Sequence, residues 1–353
     1  MMELTVQTVD RLQGSLLEEV KVFLLCNGLS FEDSPDYTCL IRDFDERIIG
    51  TGSLSGNVLK YIAVEKNHQG EGLLGQIITI LVKHAFVCGQ THLFIFTKPQ
   101  NKSIFSSFGF FPIEETMDVL LMENKKGGIN EYVRDIVKET SELIANKKLE
   151  DTKEIGAIVV NCNPFTNGHR YLIEQASKRC SLLHVFVVSS DKSVFPTAVR
   201  LALVKEGTSD LANVIVHQTR DYLVSPATFP SYFLKEKHLA LQVNCQLDIA
   251  LFLDYIVPAL GITCRFVGTE PFCKTTEAYN RQMRTMLQAK GIDFVELKRK
   301  EHEDVPISAS RVRNLMALGR FGEIEALVPR STYEFILSSQ GQAIVAQMEM
   351  EKV

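Results

Sequence analysis

The chain has 353 residues, well beyond the roughly 150 usual for one domain, so two domains are expected, each able to bury its own core. Hydrophobic residues make up 45% and charged residues 23%, which excludes a disordered or fibrous chain. With 38 Lys and Arg against 43 Asp and Glu the net charge is −5, so overall charge does not hold this chain to nucleic acid. No basic leader precedes an apolar run, and no stretch of about 18 apolar residues occurs; a soluble, cytoplasmic chain with no membrane partner is expected. The eight cysteines include no CxxC pair and no Cys/His spacing of a zinc site, so they read as buried thiols, with no metal site of their own.

In chain order, a helical pattern runs from about Val9 to Cys26. YTCLIRDF (37–44) and RIIGTGSL (47–54) follow as a hairpin, and NVLKYIAV (57–64) as a third strand. HQGEGLLG opens an apolar helix from Leu73 to about Cys88, THLFIFT (91–97) reads as a buried strand, and NKSIFSSFGFF as a short helix stopped at Gly109. After the polar ENKKGG, residues 129–148 are periodic as a helix, and KKLEDTKE is a charged connector. The expected division is 1–128, a helical linker at 129–153, and 154–353.

Downstream, EIGAIVVNCNP, LLHVFVVSS, NVIVHQ, ITCRFVG and IDFVEL alternate with helices at His169–Arg179, Thr197–Gly207, about 245–259 and Thr275–Lys290. Apolar strands separated by helices predict a Rossmann-like α/β domain, a parallel sheet covered on both faces.

The first of those strands runs into Asn163-Pro164-Phe165-Thr166-Asn167-Gly168-His169, where a helix begins. That places a hydroxyl, a glycine and an imidazole where unpaired amides and the helix dipole favour an anion. Gly168 would let a nucleotide approach the backbone, and His169 would donate to a phosphate oxygen. Alone, this string fits a capped helix with an incidental histidine equally well. A second stretch, VPISASRVRNLMALG (305–319), puts Ser308, Ser310, Arg311 and Arg313 at another helix start, where a basic pair opposes the dipole unless an anion is present.

A strand followed by TxGH with a late ISxSxxR resembles the nucleotidyltransferase superfamily. The resemblance implies that His169 and Thr166 contact the nucleotide phosphates and that Ser308, Ser310 and Arg313 hold the leaving pyrophosphate. Asn163, Pro164, Phe165, Gly168 and Ile307 would line the same nucleotide site. Gly268-Thr269-Glu270 ends a strand at the ligand edge of the sheet, which adds Thr269 and Glu270. DKSVFPTAVRLALVKEGTSDLANV, SPATFPSYFLK and VGTEPFCKTTEAYNRQM further resemble the citrate lyase ligase family, over nearly the whole chain.

Residues 1 to about 140 resemble the Gcn5-related N-acetyltransferase (GNAT) fold through the loop Gln69-Gly70-Glu71-Gly72-Leu73-Leu74-Gly75 and the NxxxFxxFGF at Asn101–Phe110. The resemblance implies that Gln69, Gly70, Gly72, Gly75 and Asn101 hold a CoA-like arm. Leu74 stands where the pattern has Gly or Ala, and Phe105 where acetyltransferases often place a Tyr, so arm binding or a structural role is expected, not acetyl transfer.

Together these resemblances imply an AMP-forming acid–thiol ligase. It would use ATP, with Mg2+, and acetate to acetylate the CoA-derived prosthetic group of the citrate lyase acyl carrier subunit. Two alternatives stay open: a plain adenylyltransferase acting on a phosphorylated acceptor such as phosphopantetheine, and a non-catalytic CoA-binding protein. Lys298-Arg299-Lys300 reads as a solvated charge run or a contact for an acidic carrier. SPATFPSYFLK (225–235) reads as a surface loop or part of the acetate or carrier site.

Overall fold

The structure, a computed structural model, describes residues 4–147, 153–189, 193–225, 237–269 and 274–350. Glu270, the connector at 148–152 and all of the SPATFPSYFLK stretch after Ser225 lie outside the described residues. The chain folds as two compact units, one of residues 1–129 with 226–251, the other of 130–225 with 252–353.

The first unit is built on a seven-stranded sheet. Its strands are β1 (Thr5–Val9), β2 (Tyr37–Arg42), β3 (Ile48–Ser55), β4 (Val58–Val64), β5 (Phe94–Thr97), β6 (Phe111–Glu115) and β7 (Leu120–Glu123), in the order β1-β2-β3-β4-β5-β7-β6. Only β4 and β5 pair in parallel, giving the mixed sheet expected of a GNAT-like unit. Helices α1 (Gly14–Cys26), α2 (Leu73–Val87) and α3 (Lys102–Ser107) belong to it, together with a helix from later in the chain described below. Gly52 explains how α2 lies so close to the sheet: a Cβ there would stand 2.4 Å from Ile77 Cγ2 and 3.1 Å from Leu81 Cδ1. Three of these strands escape sequence reading. TVQTV runs up to Val9, where a helix is expected to begin, yet it pairs antiparallel with β2, and the helix starts only at Gly14. Pro112 disguises β6, which tolerates it as the edge strand of the sheet, and β7 is only four residues long.

Helix α4 (Gly128–Lys147) covers the segment read as a linker. It turns Tyr132, Ile136 and Thr140 inward at i, i+4 and i+8. The Tyr132 hydroxyl donates to Gln218 O at 2.9 Å, and Asp135 pairs with Arg220 at 2.8 Å, so the helix is a packed part of the second unit.

In that unit β8 (Ile155–Val160), α5 (Asn167–Ser177), β9 (Leu182–Val187), α6 (Thr197–Gly207) and β10 (Val214–Gln218) alternate as read. Helix α7 (Lys237–Leu251) then packs on β6 of the first unit and begins some eight residues before the predicted start. A π-helical turn at 252–256 and α8 (Val257–Leu260) lead to β11 (Cys264–Gly268), α9 (Lys274–Ala289) and β12 (Asp293–Leu297). All five strands are parallel, in the order β10-β9-β8-β11-β12. The apolar strands are buried on both faces: Ile158, Leu183, Val185 and Phe266 are 0–1% exposed. A short hairpin, β13 (Glu301–His302) and β14 (Val305–Pro306), precedes α10 (Ala309–Ala317). Helices α11 (Arg330–Leu337) and α12 (Ser339–Met350) join α10 in a separate apolar cluster around Val312, Met316 and Ile336.

Candidate active site

The order of the parallel sheet reverses between β8 and β11. These two strands pair only at Cys264 with Gly156 and Arg265 with Ala157. Beyond that point they separate, and the gap beyond their carboxyl ends is where open α/β sheets take ligands. The chain leaves β8 through Cys162, a buried residue at φ 51°, left-handed backbone that costs a non-glycine residue roughly 1–2 kcal/mol. A cis Asn163–Pro164 bond follows, and α5 begins three residues on.

Thr166 caps α5. Its Oγ1 accepts from His169 N at 3.4 Å, and its own N–H donates to His169 Nδ1 at 3.1 Å, a reciprocal capping box. A backbone N–H can only donate, so Nδ1 is an acceptor and the ring carries its proton on Nε2. Burial, reinforced by the positive charge of Arg299, lowers the His169 pKa to about 4. At neutral pH this histidine is therefore an uncharged donor held in one orientation. The capped-helix and phosphate-donor readings describe the two nitrogens of one ring.

Gly168 is also required by the packing of the protein itself. A Cβ there would stand 3.0 Å from Ile307 O and 3.6 Å from Ile307 Cβ. What approaches this backbone is the ISxS segment, so the starts of α5 and α10 lie against each other and their positive ends add. Phe165 and Ile307, 0% and 4% exposed, belong to the core; the Phe165 ring stacks 6.2 Å from His169 and supports it. Pro164 is buried too.

The late motif divides its labour. Ser308 Oγ accepts from Arg311 N at 3.2 Å and caps α10. Ser310 Oγ accepts from Arg313 Nη2 at 3.2 Å, and Arg313 Nη1 donates to the carbonyl of Asn163. Asn163 Oδ1 in turn accepts from Phe195 N at 2.9 Å. Arg313 is thus aimed by its neighbours at the end of β8, and its desolvation pulls its pKa below the usual arginine value. Thr269 extends β11, its N–H bonded to Leu297 O at 2.9 Å, and its carbonyl accepts from Arg299 Nε at 2.5 Å. In sequence Arg299 belongs to a basic run expected to be solvated or to meet an acidic carrier; the fold brings it to the end of β11.

The first unit holds a cavity of about 950 Å³ that brings together all five residues expected there: Gln69, Gly70, Gly72, Gly75 and Asn101. It opens because β4 and β5 pair only at Val58 with Phe94 and Leu59 with Ile95, then diverge. Gly72 caps α2 at φ 83°, a left-handed turn suited to glycine that starts the helix at the cavity wall. Phe105 is 6% exposed within the apolar core, in keeping with a packing role.

Among the described residues no cluster of three or more His, Cys, Asp or Glu could hold a metal ion. The described groups gathered at the crevice are hydroxyls, an imidazole, an amide and guanidiniums, a donor set that suits phosphate oxygens.

The fold defines a class: an α/β chain that joins a unit built on a mixed sheet to a unit built on a parallel, Rossmann-like sheet. Residues 155–336 match the family model for the citrate lyase ligase C-terminal domain. The chain is 41% identical over 325 residues to the citrate (pro-3S)-lyase ligase of Klebsiella pneumoniae, covering 91% of this chain and 92% of that one. The corresponding ligase of Escherichia coli strain K12 is 39% identical over 334 residues, with 93% and 92% covered. A phosphopantetheine adenylyltransferase of Staphylococcus carnosus is 32% identical over only 75 residues, 21% of this chain and 47% of that one. The chain belongs to the citrate lyase ligase family, a family of ligase enzymes. Among the described residues no helix is long and apolar enough to cross a membrane.

Proposed function

We propose that this chain activates citrate lyase by acetylating, at the expense of ATP, the thiol of the CoA-derived prosthetic group on its acyl carrier subunit. The observation that carries the reading, beside family membership, is the pair of helix starts at the β8–β11 crevice with His169 and Arg313 held there. The reaction is written in two steps. An acetate oxygen forms a bond to the α-phosphorus of ATP as the bond to the β-phosphate oxygen breaks, releasing pyrophosphate. The carrier thiol, having given up its proton, then attacks the acetyl carbon, and the bond from that carbon to the phosphate oxygen breaks, releasing AMP.

Acetate is an anion at neutral pH and needs no base for the first step. The obstacle is bringing it to a polyanion. The Nε2–H of His169, the amides at the two helix starts and Arg313 oppose the charge that grows on the transferring phosphoryl group, and each well-placed donor is worth roughly 3 kcal/mol in rate. Thr166 acts through His169, and Ser308, Ser310 and Asn163 act through α10 and Arg313. Thr269 and Glu270 belong to the nucleotide side of the crevice in this reading. Mg2+ enters on the phosphates of the nucleotide as part of the substrate. The cavity of the first unit takes the CoA-like arm through Gln69, Gly70, Gly72, Gly75 and Asn101, and acetate and the carrier subunit complete the partners.

The test is the exchange of labelled pyrophosphate into ATP by the intact chain. Exchange that requires acetate, with acetyl transfer on adding the carrier, is the expected result. Dependence on a phosphorylated acceptor instead would return the reading to a plain adenylyltransferase.

A further inference from the structure

The cavity of the first unit has a cause in the strand beside it. β3 and β4 pair Thr51 with Ala63 and Ser53 with Lys60, so Tyr61 and Ile62 together stand against the single residue Gly52. Such a bulge bends its strand. It falls two residues after Leu59, the last residue of β4 that pairs with β5. Tyr61 takes the turn at φ 56°, left-handed backbone that a bulky residue adopts only where its surroundings hold it there.

Those surroundings include the segment that follows α1. Tyr61 is fully buried. Its hydroxyl accepts from Glu32 N at 3.1 Å and Asp33 N at 3.2 Å while donating to Asp33 O at 3.1 Å. A phenol offers one donor and two acceptor sites, and one short stretch of main chain engages them all. Phe31 stacks on the ring with centroids 5.1 Å apart. The neighbouring Lys60, 7% exposed, pairs with Asp33 at 2.6 Å and lies 4.6 Å from the centre of the Tyr61 ring. Burial raises the pKa of the hydroxyl, so it keeps the proton that it donates.

The two segments that Tyr61 joins are two walls of one cavity. Asn27, Gly28 and Leu29, just before the pinned residues, line it from the end of α1, and Ile62, Ala63 and Val64, just after Tyr61, line it from β4. We propose that Tyr61 is a positioning residue for transfer to the carrier: its hydroxyl fastens the segment after α1 to the bulge of β4 and so holds both walls in place to fit a CoA-type arm, without touching that arm. The inference rests on the arm reading above. Walls set in advance need no ordering when the arm enters, so loss of the tie is felt in affinity and not in the chemical step.

The test is calorimetric titration of the intact protein with dephospho-CoA, beside steady-state transfer to the loaded carrier. Tyr61→Phe keeps the ring and its stack on Phe31 and removes the hydroxyl. Dephospho-CoA should bind about three- to tenfold more weakly, the range of one net hydrogen bond. The KM for the carrier should rise in step, with kcat and acetate-dependent pyrophosphate exchange unchanged. Thr38→Val is the control, because it removes another buried hydroxyl contact of the same sheet, Thr38 Oγ1 to Ser53 Oγ at 2.9 Å, between residues that do not line the cavity. It should bind dephospho-CoA as tightly as the wild type. Should Tyr61→Phe fail to fold, Asp33→Ala loosens the same tie from its more exposed side and should show the same selective loss. Affinity equal to wild type in the variant of this tie, or an equal loss in Thr38→Val, would overturn the role of Tyr61 while leaving the arm site standing. A wild-type protein that binds no dephospho-CoA would instead remove the arm reading, and this inference with it.

Discussion

His169 shows how one residue combines a structural and a chemical task. Nδ1 closes the capping box with the Thr166 N–H, which leaves Nε2 as the donor. The two tasks separate by substitution. His169→Gln keeps a side-chain acceptor for the cap, as glutamine does in capping boxes, so its melting temperature should stay close to wild type. Its acetate-dependent pyrophosphate exchange should fall at least a hundredfold, from the loss of one preorganised donor. An active His169→Gln would remove the histidine from the mechanism. The pKa lowered to about 4 also predicts that, in an NMR titration of the free protein, the His169 ring stays neutral down to about pH 5; a midpoint near 6.5 would contradict the geometry. Gly168→Ala tests the contact between the helix starts. The added methyl meets the Ile307 carbonyl at 3.0 Å, a backbone atom that cannot swing aside, so separation of the two segments should cost about 1–3 kcal/mol in urea unfolding and raise the KM for ATP. The TxGH and ISxSxxR residues are legible in the sequence because two arginines at a helix start oppose the dipole and because the two strings together resemble a known superfamily. Their division into ligand-facing and supporting groups is not. Asn163 as an anchor for Arg313 and Gly168 as a contact for Ile307 depend on segments some 140–150 residues away.

Elements follow the same rule. The five parallel strands of the second unit declare themselves because the central ones are apolar on both faces and helices separate them regularly, and α6 falls where its periodicity puts it, Thr197–Gly207. What escapes is edge and connection: β1 and β6 at the two edges of the first sheet, and α7, which packs on β6 from the other half of the chain. Helix α4 looks like a linker in sequence, yet its exposed Glu139 ends a chain of contacts that runs to two buried histidines of the sheet. Glu139 Oε2 meets His217 Nδ1 at 3.0 Å, and His217 Nε2 meets His184 Nδ1 at 3.0 Å, while His184 Nε2 is buried with no partner. The hydrogen bond from His217, with His217, Lys205 and Arg220 adding charge, holds Glu139 below the usual carboxylate range. Burial, with His217 beside it, lowers His184 to about 3. The unfolded chain therefore binds a proton at His184 between about pH 6.5 and 3 that the folded chain refuses, and stability is lost as pH falls through that window. Protonation of Glu139 adds to the loss below about pH 4.5. The urea midpoint should drop between pH 7 and 5, and by less in His184→Gln, which keeps a donor for His217 but titrates no proton. An identical drop in both proteins would place the acid sensitivity elsewhere.

At the scale of the whole molecule the proposed chemistry divides into two half-reactions, and the fold decides how that division can be tested. Deleting the first 129 residues would be a poor test, because the same compact unit includes residues 226–251, which would lose the sheet that α7 packs on. A single exposed charge is cleaner. Lys98 follows β5 at the rim of the first unit's cavity and is exposed, so reversing its charge disturbs no packing. A CoA-type arm brings phosphate groups to that cavity, and its entry is favoured by a cation at the rim. Lys98→Glu should raise the KM for the loaded carrier several-fold at low salt, with the effect fading as ionic strength rises. Acetate-dependent pyrophosphate exchange, which needs no carrier, should be unchanged. An unchanged KM for the carrier would count against the cavity as the arm site, and a loss of exchange would mean that the two units do not separate the two half-reactions.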